Sequence, residues 1–216
     1  MEEQLFQACK DGNVEEVIKL LQNTQLNTNW HNSRSRTAFW IACENGHIEI
    51  AKLLLNDNRV DINKANSFGA TPFFIACKNG QIEIVKLLLK DNRVDINKAS
   101  RETPFWIACY KGHIEIVKYL LVCGREIDIN KENNDGKTGL EIAREMGNKK
   151  KKEWESEEGF ENMKRKYTKI VELIESFERN QNETRTKLRM ELRLAGKFID
   201  LFISISLLNK FINLYW

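Results

Sequence analysis

The sequence predicts an all-α solenoid of about five helix–turn–helix repeats, joined by short turns or hairpin fingers and followed by a C-terminal helical extension. Three recurrences predict it. Cys9, Cys43, Cys77 and Cys109 fall 34, 34 and 32 residues apart, and Gly12, Gly46, Gly80 and Gly112 keep those spacings. Thr37, Thr71, Thr103 and Thr138 are separated by 34, 32 and 35 residues. Between threonine and the end of each unit the chain repeats one apolar phrase: "TAFWIACENGHIEIAKLLL", "TPFFIACKNGQIEIVKLLL", "TPFWIACYKGHIEIVKYLL". Such a period means stacked units, none of which can bury its apolar face alone.

The array is expected over 1–177, in repeats of about 1–35, 36–68, 69–100, 101–134 and 135–177. The first unit keeps "ACKDGNVEEVIKLL" but lacks a Thr-Pro start, and its polar opening suits an end cap. In the third, Thr71 is a candidate N-cap and Pro72 fits the first helical position, where no donor is lost. Phe73, Ile75, Ala76 and Cys77 make a short apolar helix that ends at Gly80, a residue suited to the left-handed stop. Ile82 to Leu89 make a second helix with Glu83 and Lys86 outward, and "DNRVDINKANSFGA" links to the next unit. The second unit has Ala38 in place of proline, and the fourth repeats Thr103-Pro104. The fourth unit's opening turn is two residues shorter ("NKASRET" against "NKANSFGAT"), which predicts a stubby finger. In the fifth, Gly139 stands where proline would, and a charged insertion of nineteen residues at about 148–166 delays the second helix. Met163, Tyr167, Ile170, Ile174 and Phe177 then recur at helical spacing, so a loop followed by a lengthened last helix is expected.

The tail, 178–216, changes character. "NQNETRTKLRMELRL" reads as a basic amphipathic helix, and "FIDLFISISLLNKFINLYW" (198–216) is apolar nearly all round and must be buried somewhere. Three destinations are open: packing on the last repeat or self-association, burial in a partner, or membrane contact helped by the basic flank. The chain carries a net charge of +3. From Arg179 onward the balance is +4 and the preceding residues sum to −1, so no nucleic acid is expected as a partner. Five cysteines and an acidic start, "MEEQLFQACKDG", without the apolar core of a signal peptide point to free thiols and a cytoplasmic protein. Nuclear placement through Lys149–Lys152 and Lys164–Lys166, or membrane association through the tail, remain the alternatives.

The pieces "TPFFIACKNGQ", "IVKLLL" and "VDIN" recur together in register and closely resemble the ankyrin repeat, over residues 1–147 and again at Lys169–Phe177. The resemblance implies a non-enzymatic protein–protein interaction module, an adaptor or scaffold that binds another protein through the concave face and turn tips of the stack. Its rivals are a membrane-tethered ankyrin protein held by the apolar tail and a regulatory subunit of an enzyme complex. Carried over from the family, the partner-binding positions are those that vary while the scaffold repeats: Arg34, Arg36, Glu44, Asn45, Ser67, Phe68, Lys78, Asn79, Glu102, Tyr110 and Lys111. Phe68 and Tyr110 stand out, because aromatic residues tend to anchor interfaces.

No catalytic residue, cofactor or metal site is expected. The cysteines lie a full repeat apart, whereas zinc ligands come in pairs two to four residues apart, so they read as small apolar fillers. His47 and His113 follow their glycines, where the family's ring supports the turn, and Gln81 replaces histidine in the middle unit. Trp40, Phe74 and Trp106 replace the histidine of the family's Thr-Pro-Leu-His. That exchange predicts an aromatic ladder in place of the usual hydrogen bonds between repeats, either as packing or with a ring edge in contact with a ligand at the concave face. Asn63, Asn97 and Asn130 fall in the turn.

Overall fold

Threonine hydroxyls start the helices that the period predicts. In the computed structural model, which describes residues 1–98, 101–152 and 155–192, Thr37, Thr71, Thr103 and Thr138 sit in extended backbone. Each accepts a hydrogen bond from the amide three residues on. A cap of this kind contributes about 1 kcal/mol. Pro72 and Pro104 occupy the first turn, and Thr138 forms a reciprocal capping box with Glu141.

Eleven helices follow in order among the described residues. They are α1 (Glu2–Asp11), α2 (Val14–Leu21), α3 (Ala38–Asn45), α4 (Ile48–Asn56), α5 (Pro72–Asn79), α6 (Ile82–Leu89), α7 (Pro104–Lys111), α8 (Ile114–Val122), α9 (Gly139–Gly147), α10 (Glu157–Arg179) and α11 (Gln181–Glu191). The chain divides into two compact units, Met1–Glu172 and Leu173–Trp216, and the division falls inside α10.

In the first unit, α1, α3, α5, α7 and α9 stack in succession, while α2, α4, α6 and α8 form a second layer. Phe39, Phe73 and Phe105 hold one position of the repeat and are fully buried, as are Ile50, Leu54, Ile84, Leu88, Ile116 and Leu120 from the second layer. Burying one such side chain stabilises by roughly 1.5–3 kcal/mol. Cys9, Cys43, Cys77 and Cys109 are buried too, and a Cβ built on Gly139 would lie 3.2 Å from the Cys109 sulfur. At this step the Cys109 sulfur and the Phe105 ring close on α9, and space for proline is lacking at Gly139. The equivalent position of α9 is Arg144, which is exposed.

Gly12, Gly46, Gly80 and Gly112 end their helices in the left-handed conformation, with φ of 78°, 77°, 74° and 71°. Each glycine also makes room for the next repeat. His47 Nε2 lies 3.1 Å from the Lys10 carbonyl, Gln81 Nε2 donates to Glu44 O at 3.1 Å, and His113 Nε2 lies 3.0 Å from Lys78 O. A carbonyl can only accept, so both histidines present Nε2–H. A Cβ on Gly12, Gly46 or Gly80 would fall 2.8, 2.3 or 2.7 Å from that crossing side chain. At the last step the insertion removes the histidine, and Tyr167 of α10 takes its place: its hydroxyl donates to Tyr110 O at 2.7 Å. α10 is the lengthened last helix.

The aromatic exchange differs from expectation. Trp40 Nε1 donates to Ala70 O and Trp106 Nε1 to Lys137 O, both at 2.9 Å, so two of the three rings keep a hydrogen bond between repeats. An indole carries a donor at its edge. Phe74 has none, and there the bond is lost.

Two further ladders tie the turns. Asn29, Asn63 and Asn97 each donate to a carbonyl of the following repeat, at Arg59, Arg93 and Glu126. Each accepts in return from the amide of Asp61, Asp95 or Asp128. Arg59 reaches back to Leu21 O and Asn23 O and Arg93 to Leu55 O, so guanidinium groups satisfy carbonyls left over at the second-helix C-termini. Hydrogen bonds from these arginines hold the Asp57 and Asp91 carboxyls below the usual range.

In the second unit, Asn180 caps α11 by accepting from the Glu183 amide. Thr184 donates to Ser176 O at 2.9 Å, and Arg185 lies 5.1 Å over the Phe177 ring. The expectations for the apolar stretch 198–216 concern residues outside those described, as does the tip of the shortened fourth turn at 99–100. No helix among the described residues is long and apolar enough to cross a membrane.

Gly80→Ala and Gly136→Ala separate the two demands on glycine. Both positions have positive φ, but a Cβ on Gly80 meets His113 at 2.7 Å, whereas Gly136 has only Glu132 Oε2 at 3.9 Å. Each substitution bears a left-handed cost of roughly 1–2 kcal/mol. Gly80→Ala should cost at least about 1 kcal/mol more in urea unfolding, since the His113 bond must also be given up. Equal costs would show that the crossing is not needed.

Candidate functional site

Asparagine builds the fingers. Asn32, Asn66 and Asn133 each stand five residues before a capping threonine. Their side-chain oxygens each accept two backbone amides of the same turn: Arg34 and Arg36, Phe68 and Ala70, Asp135 and Lys137. The fourth repeat has Lys98 at that place, whose side chain has no acceptor to offer. The chain passes through positive φ at Ser35, Gly69 and Gly136, and the second and third fingers join through Ser67 N–H to Arg34 O at 3.0 Å.

The fingers and first helices frame two adjoining cavities of about 610 and 390 Å³, which share Lys78 and Glu102. Arg36, Glu44, Ser67 and Phe68 line the larger one, together with the ring of Phe74. Tyr110 and Lys111 line the smaller, alongside Trp106. Phe68 is 73% exposed. Arg36 pairs with Glu44 at 3.3 Å and lies 4.6 Å over the Trp40 ring, leaving its buried Nε without an acceptor. Tyr110 stacks on Trp106 with centroids 5.4 Å apart and planes at 18°, and the Lys111 ammonium sits 5.2 Å from the Tyr110 centroid. Lys137 pairs with Glu145, and this hydrogen bond holds the carboxyl below and the ammonium above their ordinary ranges.

Arg34, Asn45 and Asn79 line neither cavity. Arg34 is exposed on its finger. Asn45 and Asn79 donate to Lys10 O at 3.0 Å and Glu44 O at 3.1 Å, beside the crossing bonds of His47 and Gln81. Sequence reasoning missed Arg101, Lys137 and Glu145 as lining residues. A signal existed for the last two. Lys137 and Glu145 hold the repeat positions of Arg36 and Glu44, one before the threonine and seven after it.

No group of His, Cys, Asp and Glu among the described residues could hold a metal ion. The repeated thiols are buried, and loss of solvation pushes Cys9 up to about 12 and raises Cys43, Cys77 and Cys109 as well. Around the two cavities the arrangement presents charged groups, aromatic rings and backbone carbonyls.

A family model for ankyrin repeats (three copies) matches residues 5–100 and 92–152. A search of curated proteins finds no match to the chain.

At pH 8 the native chain should take up iodoacetamide at Cys123 alone, since Cys123 is half-exposed and the other four cysteines are buried; in urea all five should react, read by intact mass. Linkage has a definite sign here. Unfolded thiols ionise near 8.5, folded ones higher, so their contribution is complete below about pH 8.5 and falls as pH rises toward 12. Rapid native labelling of Cys43 or Cys77 would contradict the packing.

Proposed function

The chain belongs to the ankyrin-repeat family, and from that premise we propose that it is an adaptor that binds a partner protein through the concave, finger side of its first helices. Ankyrin repeats are generally protein–protein interaction modules, and the fold is typically non-enzymatic. The observation that carries the finer reading is the continuity of the two cavities, which draw side chains from the second to the fifth repeat and share Lys78 and Glu102. Of the positions that differ between repeats, Arg36, Glu44, Ser67, Phe68, Lys78, Glu102, Tyr110 and Lys111 converge there.

Physically, the surface suits docking. The first helices are fixed by bonds from repeat to repeat, so little ordering entropy is lost when a partner binds. Phe68 offers an exposed ring and Tyr110 a ring already stacked and held, the two kinds of anchor that dominate interface energetics. Arg34, Arg36, Ser67, Lys78, Glu102 and Lys111 surround them with charge and hydrogen-bonding groups, and Glu44, Asn45 and Asn79 complete the candidate contact set.

Affinity capture with the full chain, compared with its Phe68→Ala/Tyr110→Ala double variant, tests this reading. Phe68 is exposed, so its truncation should alter stability by no more than about 0.5 kcal/mol. Specific partners should be recovered by the parent and depleted at least about fivefold by the variant. Equal recovery of every partner would count against the finger side.

A further inference from the structure

Two internal devices that occupy the finger side elsewhere are missing at its middle. Just before the capping threonine the second to fifth repeats carry Arg36, Ala70, Glu102 and Lys137; seven residues after it they carry Glu44, Lys78, Tyr110 and Glu145. The second and fifth repeats close these positions with ion pairs, Arg36–Glu44 and Lys137–Glu145. In the third, Ala70 leaves Lys78 with no carboxylate. Lys78, Arg101 and Glu102 form no ion pair among the described residues.

The same step lacks a backbone partner. The carbonyl before the threonine receives an indole N–H at Ala70 and at Lys137. Between them Phe74 replaces the donor, and the Glu102 carbonyl accepts no hydrogen bond among the described residues. The cavity of about 610 Å³ opens at this step, with Phe74 nearly buried beneath it and Phe68 exposed beside it.

We propose that this cavity receives a tryptophan carried by an acidic peptide segment of the partner protein. The indole N–H donates to Glu102 O, its ring lies against Phe74 and Phe68, and flanking carboxylates pair with Lys78 and Arg101. Trp40 and Trp106 show on either side that an indole reaches the equivalent carbonyls, Ala70 O and Lys137 O. An aliphatic side chain would leave the carbonyl unpaired, which is costly once water is excluded. An arginine would add a cation to a lining that holds Arg36, Lys78 and Arg101 against Glu44 and Glu102, with Arg36 and Glu44 already paired. Carboxylates next to the ring match both the charge and the donor geometry of those two groups. This inference rests on the reading that the finger side binds protein.

The experiment selects random dodecapeptides displayed on phage against the full chain and measures synthetic copies of the enriched peptides by fluorescence anisotropy. Enriched peptides should hold tryptophan within three residues of Asp or Glu. Phe74→Trp supplies the missing indole internally and should weaken them at least about fivefold, with an unchanged or higher urea midpoint. Ala70→Glu supplies Lys78 with an internal carboxylate and should weaken them similarly, which keeps the test independent of how the larger ring packs. The inference is overturned by failure to enrich any peptide, by enrichment without tryptophan and acid, or by affinities indifferent to both substitutions. If captured partners still depend on Phe68 and Tyr110 in that case, only the chemistry of the occupant falls and the finger-side reading stands.

Discussion

The bond from the residue after each helix-ending glycine to a carbonyl of the preceding repeat is the constraint on which the stack depends. The first helices after α1 are eight or nine residues long, and helices of that length are marginal in water. Neighbours must supply what length does not. His47, Gln81 and His113 fix the end of one first helix to the one before it, and Tyr167 ties α10 to α7, all at the carbonyl two residues before the glycine. Only glycine admits the crossing side chain and also turns the chain. The same register brings sulfur to the next helix, indole to the next threonine turn and arginine to the preceding second helix.

A scaffold locked this way makes function a matter of departures from the pattern. Where the pattern is complete, side chains satisfy one another: Arg36 and Glu44 pair, and so do Lys137 and Glu145. At the third and fourth repeats, Ala70, Phe74 and the short turn before Thr103 interrupt it together. The cavity of about 610 Å³ lies there, and its Lys78, Arg101 and Glu102 form no ion pair among the described residues. Phe68 lines the larger cavity and Tyr110 the smaller, so aromatic rings lie beside charged groups.

Much of the fold was legible in the sequence because it is local or periodic. Threonine caps, helix-ending glycines and the helix pairs are all decided within one repeat, and Met163 to Phe177 showed helical spacing despite the insertion. Contacts between repeats were harder to read. Tyr167 replaces a histidine only because α10 brings it 57 residues along the chain to Tyr110, and no spacing rule links the two. The indole bonds of Trp40 and Trp106 depend on which way the ring edge points, which composition does not show. For the candidate site, the varied positions were visible, but Asn45 and Asn79 could not be told from free side chains without their partners at Lys10 and Glu44. Arg101 escaped notice because it lies in a turn with no counterpart in the other repeats.

Amide hydrogen exchange of the full chain and of Tyr167→Phe tests most directly whether bonds between repeats hold the stack. Removing the hydroxyl deletes one donor to the Tyr110 carbonyl and leaves the buried ring in place. If the bonds set the register, exchange should accelerate in α7 and α9 as well as in α10, by about two- to thirteenfold for a loss of roughly 0.5–1.5 kcal/mol. Acceleration confined to α10, with α7 and α9 as protected as before, would contradict the account.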